Sequence, residues 1–428
     1  MKNFLKKLTI GSSANSTVNT DSQKIDSFLK RGIENVFPSK EYLKKQLGSG
    51  KRQTLYLGID PTAPTLHLGH AVTLFKLKEL QDMGHQIILL IGDFTATIGD
   101  PTGKSETRRQ LTHKQVLENA TQYKKQASKF LNFSGPNKAL LKYNSAWLGK
   151  MNFADVISLS AQMTVDQMLK RDMFDQRIKE EKPIYIHEFL YPLMQGYDSV
   201  AMNVDGEIGG NDQTFNMLAG RHLMEKLQNK EKFVITVKLL TDSSGKKMGK
   251  TEGNMVSLDM SANEMFGRIM SWSDGLILPA LELCTNMESS KIEKIKADLE
   301  SGKNPKDAKT ILAKEVVSWY HSKEASDKAQ ADFEATFSGG KISKSENGEV
   351  IIPSSAIEIS VPTQSQLSGV LVENGVVASK AEFKRLVEEG AVSNIETGEK
   401  ISDYYFTLTS PINLKIGKKR FVKIVIKG

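Results

Sequence analysis

The pattern that most constrains this fold is a short apolar run, a tight loop, a helical pattern and a second apolar run in immediate succession. The first apolar run covers residues 55–59, and Pro61 and Pro64 prevent regular strand pairing from continuing beyond it. Apolar side chains then recur at helical spacing over residues 68–80, and residues 86–92 form the second apolar run. This order predicts a β–α–β unit with a right-handed crossover, in which ligands bind at the carboxyl ends of the strands. The loop that follows the first strand lies at that edge.

Two histidines, His67 and His70, mark the predicted start of the helix. Because they are three residues apart, both imidazoles can face one side of the first turn, beside backbone N–H groups that the helix leaves unpaired. Such a helix start is suited to binding phosphate. The same spacing fits a pair of capping or core histidines, and a metal pair is less favoured because no suitable third ligand stands nearby.

The second apolar run is followed by a loop rich in small residues, residues 92–108, which contains Asp100, Lys104 and Arg108. Because loops that follow strands often carry function, we expect a ligand-binding loop here. An ordinary Gly/Pro surface loop is the alternative.

A polar cluster is formed by Tyr191, Gln195 and Asp198, which are spaced so that a helix would place them on one face. Most side chains around them are apolar, which favours the wall of a polar pocket over a solvated helix face. Pro192 suits a first helical turn and predicts that the helix begins close to it.

Two later segments add small and cationic residues. Residues 208–217 form a small-residue turn that enters a helix, with Asp212 and Gln213 at its mouth. A strand-like run, residues 233–240, then leads into a loop with three glycines and three lysines, residues 241–253. Such a loop could close over a phosphate group, although many Gly/Lys loops are simply solvated.

Composition limits the class of protein. The chain has 428 residues, which predicts two or three domains. Its apolar content of 39% and charged content of 25% are typical of a globular protein, and no apolar run is long enough to span a membrane. A formal net charge of +8 permits a polyanionic partner. The single cysteine, Cys284, excludes an internal disulfide framework, fits a reducing compartment such as the cytoplasm, and is expected to be buried.

The end of the chain is basic. Two helix-like segments, residues 368–373 and 379–390, precede an alternating region, and no acidic residue follows Asp403. The cations after that point are Lys415, Lys418, Lys419, Arg420, Lys423 and Lys427. This asymmetry favours contact with a phosphate backbone, and a solvated basic tail is the alternative.

Four stretches, taken in order, resemble the signatures of the bacterial tyrosyl-tRNA synthetases, which are class I aminoacyl-tRNA synthetases. They are residues 56–70 with Leu-His-Leu-Gly-His, residues 191–198, Gly-Gly-Asn-Asp-Gln at 209–213, and Lys-Met-Gly-Lys-Thr at 247–251. The resemblance covers most of the chain beyond Asp21. One departure is Gly249, which stands where the family signature has serine.

The resemblance implies an α/β fold class: a Rossmann-like parallel-sheet catalytic domain, then an α-helical domain, then a small α+β RNA-binding domain with an αL motif of the small-subunit ribosomal-protein type. The implied divisions are a disordered or extended N-terminus at 1–30, a catalytic domain with a dimer-forming insertion at 31–245, a mobile loop and helical anticodon-binding domain at 246–340, a linker at 341–361 and the RNA-binding domain at 362–428.

The same resemblance implies a reaction. L-tyrosine and ATP would form tyrosyl-adenylate and pyrophosphate, and the tyrosyl group would then pass to the 3′ end of tRNA(Tyr). ATP is a substrate, Mg²⁺ arrives with ATP, and no protein-bound metal is expected. The implied partners are tRNA(Tyr), L-tyrosine, ATP and a second copy of the chain in a homodimer, with an interface near residues 122–173 and no membrane.

Residue by residue, the resemblance implies the following roles. Catalysis would fall to His67, His70, Lys247, Lys250 and Thr251. Tyrosine would contact Tyr56 and Asp198 at its phenol, Tyr191, Gln195 and Asp100 at its ammonium group, and Gln213. ATP would contact Gly58, Asp60, His67, Gly69, His70, Gly210, Asp212, Met248 and Lys250. Lys104 and Arg108 would be auxiliary cations, and tRNA would contact Lys380, Lys384, Arg385, Lys418, Lys419 and Arg420.

Two rival interpretations stay open at this point. A tryptophanyl-type synthetase shares the fold and both ATP signatures, but an indole has no phenol hydroxyl for Asp198 to bind. A non-catalytic RNA-binding protein could use the same scaffold, although His67, His70, Lys247 and Lys250 are all present.

Overall fold

The computed structural model describes residues 17–101, 111–169, 172–241, 255–337, 356–417 and 420–427. The elements of the first part of the chain are α1 (Ser22–Lys30), β1 (Ile33–Phe37), α2 (Lys40–Leu47), β2 (Thr54–Ile59), α3 (Leu68–Asp82), β3 (Gln86–Ile91), α4 (Thr95–Ile98), α5 (His113–Ala120), α6 (Tyr123–Ala127), β4 (Leu140–Tyr143), α7 (Ser145–Leu148), α8 (Phe153–Ser160), α9 (Val165–Leu169), α10 (Asp172–Lys179), α11 (Ile186–Met202), β5 (Gly206–Gly210), α12 (Thr214–Gln228) and β6 (Phe233–Val237). Those of the second part are α13 (Ala262–Met270), α14 (Ile277–Cys284), α15 (Ser289–Glu300), α16 (Pro305–Tyr320), α17 (Lys323–Phe337), β7 (Ile357–Pro362), β8 (Ser365–Gln366), α18 (Leu367–Glu373), α19 (Lys380–Glu388), β9 (Val392–Asn394), β10 (Thr407–Leu408), β11 (Ile412–Ile416) and β12 (Arg420–Lys427).

The chain divides into two compact units. The larger unit combines Met1–Met260 with Trp272–Lys303, and the smaller unit combines Ser261–Ser271 with Asn304–Gly428. The narrower domain boundaries that the resemblance implies stay predictions.

The larger unit is built on a mixed sheet. Among the described residues its six strands lie in the order β1-β6-β5-β2-β3-β4. Neighbouring strands from β6 to β4 are parallel, whereas β1 is antiparallel to β6 at one edge. The predicted β–α–β unit is confirmed, because β2 and β3 pair in parallel with α3 between them. The expected Rossmann-like parallel sheet is therefore confirmed, and β1 adds an antiparallel strand at its edge, which is common in such sheets.

Burial explains why these segments are strands and helices. All six residues of β3 are buried, as expected for an interior strand covered on both faces. On α3, seven consecutive residues from Ala71 to Leu77 are buried, so every side of this part of the helix is covered by the core. The buried thiol of Cys284 agrees with the sequence-based expectation, and burial raises its pKa to about 12.

The helix that carries the predicted polar cluster begins earlier than Pro192 indicates. It starts at Ile186 and includes Pro192 in its interior. Glu188 fixes this start, because its carboxylate accepts the backbone N–H of Tyr185 at 2.9 Å and is paired with the buried Arg177 at 2.8 Å. These contacts outweigh the preference of proline for a first turn.

Part of the segment predicted as a disordered or extended N-terminus is a helix instead. Residues 1–16 lie outside the described residues, but Ser22–Lys30 is helical. The side chain of Asp21 accepts the backbone N–H groups of Gln23 and Lys24, and Ile25, Phe28 and Leu29 are buried. The cap and the apolar face together explain why this segment folds.

The smaller unit contains helices and a second sheet. Helices α13, α16 and α17 pack on one another. Further along the chain, a sheet in the order β7-β12-β11-β9 and helices α18 and α19 enclose a separate apolar core that includes Leu367, Phe383 and Leu414. A core of its own is the feature expected of a separately folded module.

Candidate active site

A cavity of about 450 Å³ opens in the larger unit at the carboxyl ends of the parallel strands. Asp60 follows β2, Gly92 follows β3, Asn144 follows β4 and Lys238 follows β6, and all four line the cavity. Ligands of parallel α/β sheets bind at this edge. The cavity is therefore where the sequence pattern predicts a ligand.

The two histidines lie on one wall of this cavity and also cap α3. The Nδ1 atom of His67 accepts the backbone N–H of Gly69 at 3.1 Å, and Nδ1 of His70 accepts that of His67 at 3.2 Å. Their ring centroids are 4.0 Å apart. Because both Nδ1 atoms accept, the proton of each neutral imidazole is on Nε2, which makes Nε2 a donor. The capping role and the phosphate-binding role are thus compatible.

Tyr191 and Asp60 form one polar wall. The Tyr191 hydroxyl donates to Asp60 Oδ2 at 2.8 Å, and the Thr95 hydroxyl donates to Asp60 Oδ1 at 2.7 Å. Burial, reinforced by the charges of Asp60 and Asp100, raises the pKa of Tyr191 well above its usual value. Tyr191 therefore remains a hydroxyl donor at neutral pH.

Asp198 lies two turns beyond Tyr191 on α11, and its carboxyl group accepts two hydrogen bonds. Trp147 Nε1 donates to its Oδ1 at 2.7 Å, and Asn144 Nδ2 donates to its Oδ2 at 3.3 Å. Burial raises the pKa of the Asp198 carboxyl well above its usual range, and these two hydrogen bonds oppose that rise. Because both of its oxygens accept from fixed donors, Asp198 is an oriented acceptor, and it also lines the cavity.

Gln213 and Asp100 make a second oriented pair. Asn216 Nδ2 donates to Gln213 Oε1 at 2.9 Å, and Gln213 Nε2 donates to Asp100 Oδ2 at 2.8 Å. This chain of contacts fixes which atom of the Gln213 amide is the donor.

Gln195 is oriented in the same way by a carboxylate. Its Nε2 donates to Oε1 of Glu207 at 3.1 Å, and Glu207 also forms an ion pair with Lys232. Lys232 donates to the hydroxyl of Ser199 at 2.8 Å, and the Tyr56 hydroxyl lies 3.0 Å from the same oxygen.

The cavity brings together most of the described residues predicted for tyrosine and ATP. They are Gly58, Asp60, His67, Gly69, His70, Asp100, Tyr191, Gln195, Asp198, Gly210, Asp212 and Gln213. Tyr56 is not among the lining residues, because its side chain is fully buried with its hydroxyl at Ser199. Lys104, Arg108, Lys247, Met248, Lys250 and Thr251 lie outside the described residues.

The predicted tRNA-binding residues belong to the last module of the chain. Lys380, Lys384 and Arg385 lie on α19, and Arg420 begins β12. Arg385 lies 3.7 Å from Glu389, and Arg420 lies 2.9 Å from Glu382. The pair of Arg385 is largely exposed, and such pairs contribute little to stability, so a phosphate could compete for this cation. Lys418 and Lys419 lie outside the described residues.

Sequence reasoning missed several groups that shape the cavity. Asn144 directly follows the short strand β4 and Trp147 lies in the helix that comes next, and their position beyond the carboxyl end of a strand is the signal that could have found them. Glu207 is a charged residue within the small and apolar strand β5, which is also informative. Lys232, just before β6, gives no comparable signal.

The ionisable side chains that line the cavity are mostly acidic. Among its described residues are five carboxylates, those of Asp60, Asp100, Asp198, Glu207 and Asp212, and one lysine, Lys238. This lining suits an ammonium group. In the part of the chain that the structure describes, no group of three His, Cys, Asp or Glu side chains could hold a metal ion, and no helix is long and apolar enough to cross a membrane.

Known proteins resemble both the sequence and the structure. Residues 49–338 match the family described as tRNA synthetases class I (W and Y). The tyrosine–tRNA ligase of Carboxydothermus hydrogenoformans is 46% identical over 407 residues, which is 93% of this chain and 97% of that protein. The tyrosine–tRNA ligase of Francisella tularensis is 42% identical, over 93% of this chain and 98% of that protein.

A solved structure of a tyrosyl-tRNA synthetase is also similar to this chain. The C-terminally truncated mitochondrial tyrosyl-tRNA synthetase of Coccidioides posadasii aligns with a TM-score of 0.59 and 25% identity, over 77% of this chain and 95% of that chain. With its cavity at the carboxyl edge of the sheet and its histidine-capped helix, the chain belongs to the class I tRNA synthetases of the tryptophan and tyrosine group.

Proposed function

We propose that the chain activates L-tyrosine with ATP and transfers the tyrosyl group to tRNA(Tyr). It is an aminoacyl-tRNA synthetase, a tyrosine–tRNA ligase. The observation that carries the proposal is the buried Asp198 carboxylate, held by Trp147 and Asn144 at the cavity wall. A fixed acceptor of this kind suits the phenol hydroxyl of tyrosine. An indole N–H could also donate to a carboxylate, and the tyrosine–tRNA ligases among the relatives decide between the two.

The first step needs no covalent enzyme intermediate. An oxygen of the tyrosine carboxylate forms a bond to the α-phosphorus of ATP, the bond from that phosphorus to the bridging oxygen breaks, and pyrophosphate leaves with Mg²⁺ that ATP brought. The protein must align the two substrates and stabilise the charge that develops on pyrophosphate. His67 and His70 supply Nε2 donors for this purpose. We assign the positive charges that stabilise pyrophosphate to Lys247 and Lys250, with Lys104 and Arg108 as auxiliary cations.

The amino acid is held at three points. We assign its ammonium group to Asp100, Tyr191 and Gln195, its phenol hydroxyl to Asp198, and its carboxylate to the side of Gln213. The carboxylates of the lining support the ammonium assignment. We also assign Tyr56 to the phenol; its side chain is fully buried, with its hydroxyl 3.0 Å from the Ser199 oxygen.

The nucleotide and the second step complete the assignment. ATP binds beside Gly58, Asp60, Gly69, Gly210, Asp212 and Met248, and Thr251 completes the catalytic set. A hydroxyl oxygen of the 3′ ribose of tRNA then forms a bond to the carbonyl carbon of the adenylate and loses its proton. The bond from that carbon to the phosphate oxygen breaks, and AMP leaves. The cationic residues of the last module, Lys380, Lys384, Arg385, Lys418, Lys419 and Arg420, bind tRNA phosphates.

A homodimer in the cytoplasm is part of the proposal. Within residues 122–173, the side chains of Phe153, Ile157 and Val165 are 80%, 55% and 68% exposed. Apolar side chains exposed together in this way favour a protein interface. The reducing compartment rests on the single buried cysteine.

The test is ATP–pyrophosphate exchange with tyrosine and with tryptophan as the amino acid. We expect exchange with tyrosine to exceed that with tryptophan by orders of magnitude. A preference for tryptophan would replace the assigned substrate, and exchange with neither amino acid would favour a non-catalytic RNA-binding role.

A further inference from the structure

A lysine behind the cavity is enclosed completely. Lys232 has no exposed surface, and its ammonium donates to the Glu207 carboxylate, to the Ser199 hydroxyl at 2.8 Å and to the Met217 carbonyl at 3.2 Å. An ammonium has three N–H donors, so these contacts use them all. Burial lowers the pKa of Lys232, and the neighbouring Glu207 opposes that change. Because a buried charge is costly unless it is paired and hydrogen-bonded, these contacts hold the ammonium in one position.

Glu207 connects Lys232 to the cavity through hydrogen bonds. Its side chain is 2% exposed, lines the cavity and pairs with Lys232 through Oε2. Its Oε1 accepts the Gln195 amide nitrogen at 3.1 Å. A carboxylate paired with an ammonium can only accept hydrogen bonds, so Gln195 must turn its NH₂ group towards Glu207. The carbonyl oxygen of Gln195 is then the amide atom left for a ligand.

The same ammonium also ties the other end of the amino-acid pocket. Ser199 accepts from Lys232, and its oxygen lies 3.0 Å from the Tyr56 hydroxyl. Lys232 Nζ lies 5.7 Å from the centre of the Tyr56 ring. One buried charge therefore constrains two side chains of the amino-acid site.

We propose that Lys232 is a positioning residue of the amino-acid site: through Glu207 it orients the Gln195 amide so that its carbonyl oxygen accepts a hydrogen bond from the substrate ammonium group. This inference rests on the proposed function, because the ammonium contact of Gln195 is part of it.

The decisive variant is Lys232→Met combined with Glu207→Gln. Removing both charges avoids a buried unpaired carboxylate, which Lys232→Met alone would leave, and keeps the side-chain volumes similar. The amide of glutamine can donate or accept, so it no longer fixes the Gln195 amide. We expect the KM for tyrosine in ATP–pyrophosphate exchange to rise roughly ten- to hundredfold, the worth of one hydrogen bond to a charged group, with little change in the KM for ATP.

A second readout isolates the ammonium group. Desaminotyrosine lacks only that group, so the ratio of its dissociation constant to that of tyrosine measures ammonium recognition. In the double variant this ratio should fall by about the same factor as the KM rises. Glu207→Gln alone, which is nearly isosteric, should lower the ratio in the same direction and provides the test if the double variant does not fold.

Lys76→Met is the matched control. Lys76 is also a buried lysine, donates to the Phe28 carbonyl at 2.9 Å and to Glu79, and does not line the cavity. This variant should lose stability without changing the KM for tyrosine or the ratio. If the double variant or Glu207→Gln kept the wild-type ratio, Lys232 would be structural only. If wild-type protein did not activate tyrosine at all, the proposed function would fall first, and this inference with it.

Discussion

At the scale of single residues, burial and neighbouring groups decide which atoms of the site donate and which accept. Tyr191 stays a donor because burial raises its pKa, and His67 and His70 donate through Nε2 because their Nδ1 atoms accept backbone N–H groups. Residue spacing predicted that the histidines share one side of a helix start, and the cavity confirms it. Spacing could not predict the position of Tyr56, because the hydroxyl of a strand residue is directed by partners that are distant in sequence.

The buried residue His85 should make the stability of the protein depend on pH in acid. Its Nδ1 accepts the backbone N–H of Gln53 at 3.3 Å, and its Nε2 has no hydrogen-bond partner in the part of the chain described. Burial, assisted by the charge of Arg52, lowers the pKa of His85 from 6.5 to about 4. The unfolded chain therefore binds a proton more readily between these two values. The stability that this difference provides is complete above pH 6.5 and is lost as the pH falls towards 4, by at most about 3 kcal/mol.

Replacing the imidazole tests this prediction. In His85→Asn the amide oxygen can still accept the N–H of Gln53, but no group titrates there. Urea unfolding at several pH values should show a shallower loss of stability below pH 6.5 in the variant than in the wild type. Parallel curves would mean that His85 is protonated in the folded protein as easily as in the unfolded chain.

At the scale of elements, the sequence predicted the first β–α–β unit well, because proline, glycine and apolar spacing define its ends locally. The predicted helix 68–80 is Leu68–Asp82, and the predicted strand 86–92 is Gln86–Ile91. The start of α11 could not be read in this way, since it depends on the pairing of Glu188 with Arg177. The antiparallel edge strand β1 depends on β6, which lies about two hundred residues away.

Helices α11 and α12 approach closely at two glycines, Gly196 and Gly220. A Cβ atom at Gly220 would lie 2.5 Å from Lys232 Nζ and 2.9 Å from Ser199 Oγ. Because Lys232 is enclosed and hydrogen-bonded, it cannot move aside. Gly220→Ala should therefore destabilise the protein by roughly 1–3 kcal/mol and also weaken tyrosine activation.

Gly267 provides the opposite case. It lies within α13, and a Cβ atom there would meet nothing within 4 Å. Gly267→Ala should raise stability by up to about 1 kcal/mol, because alanine favours a helix interior. Thermal unfolding of both variants is the measurement. If Gly220→Ala were stabilised as much as Gly267→Ala, helix propensity, and not the contact at Gly220, would control the effect.

At the scale of the whole molecule, all described residues assigned to tyrosine and ATP lie in the larger unit, and the last module has its own core. The length of the chain predicted more than one domain, and the positions of its charges predicted a basic end. The sheet order could not be predicted in this way, because two of its pairings, β1 with β6 and β2 with β5, join strands that are far apart along the chain.

A chain that ends at Gly340 tests whether the larger unit activates tyrosine without the last module, and whether the last module serves tRNA binding. ATP–pyrophosphate exchange should stay nearly intact, because no assigned catalytic residue is removed. Charging of tRNA should weaken, mainly through a higher KM for tRNA, and should depend less steeply on salt because phosphate contacts are lost. Equal loss of both activities in a truncated protein that remains folded would instead mean that the last module supports the catalytic cavity.

The most direct test of phenol recognition by this cavity is the ratio of kcat/KM for tyrosine to that for phenylalanine in ATP–pyrophosphate exchange. Phenylalanine lacks only the hydroxyl, so it would leave the buried Asp198 acceptor without its partner. We expect a ratio of about 10⁴ to 10⁵, a size already known for tyrosyl-tRNA synthetases themselves. A ratio below about 10², which an apolar pocket could give, would contradict the claim that this cavity recognises the phenol hydroxyl.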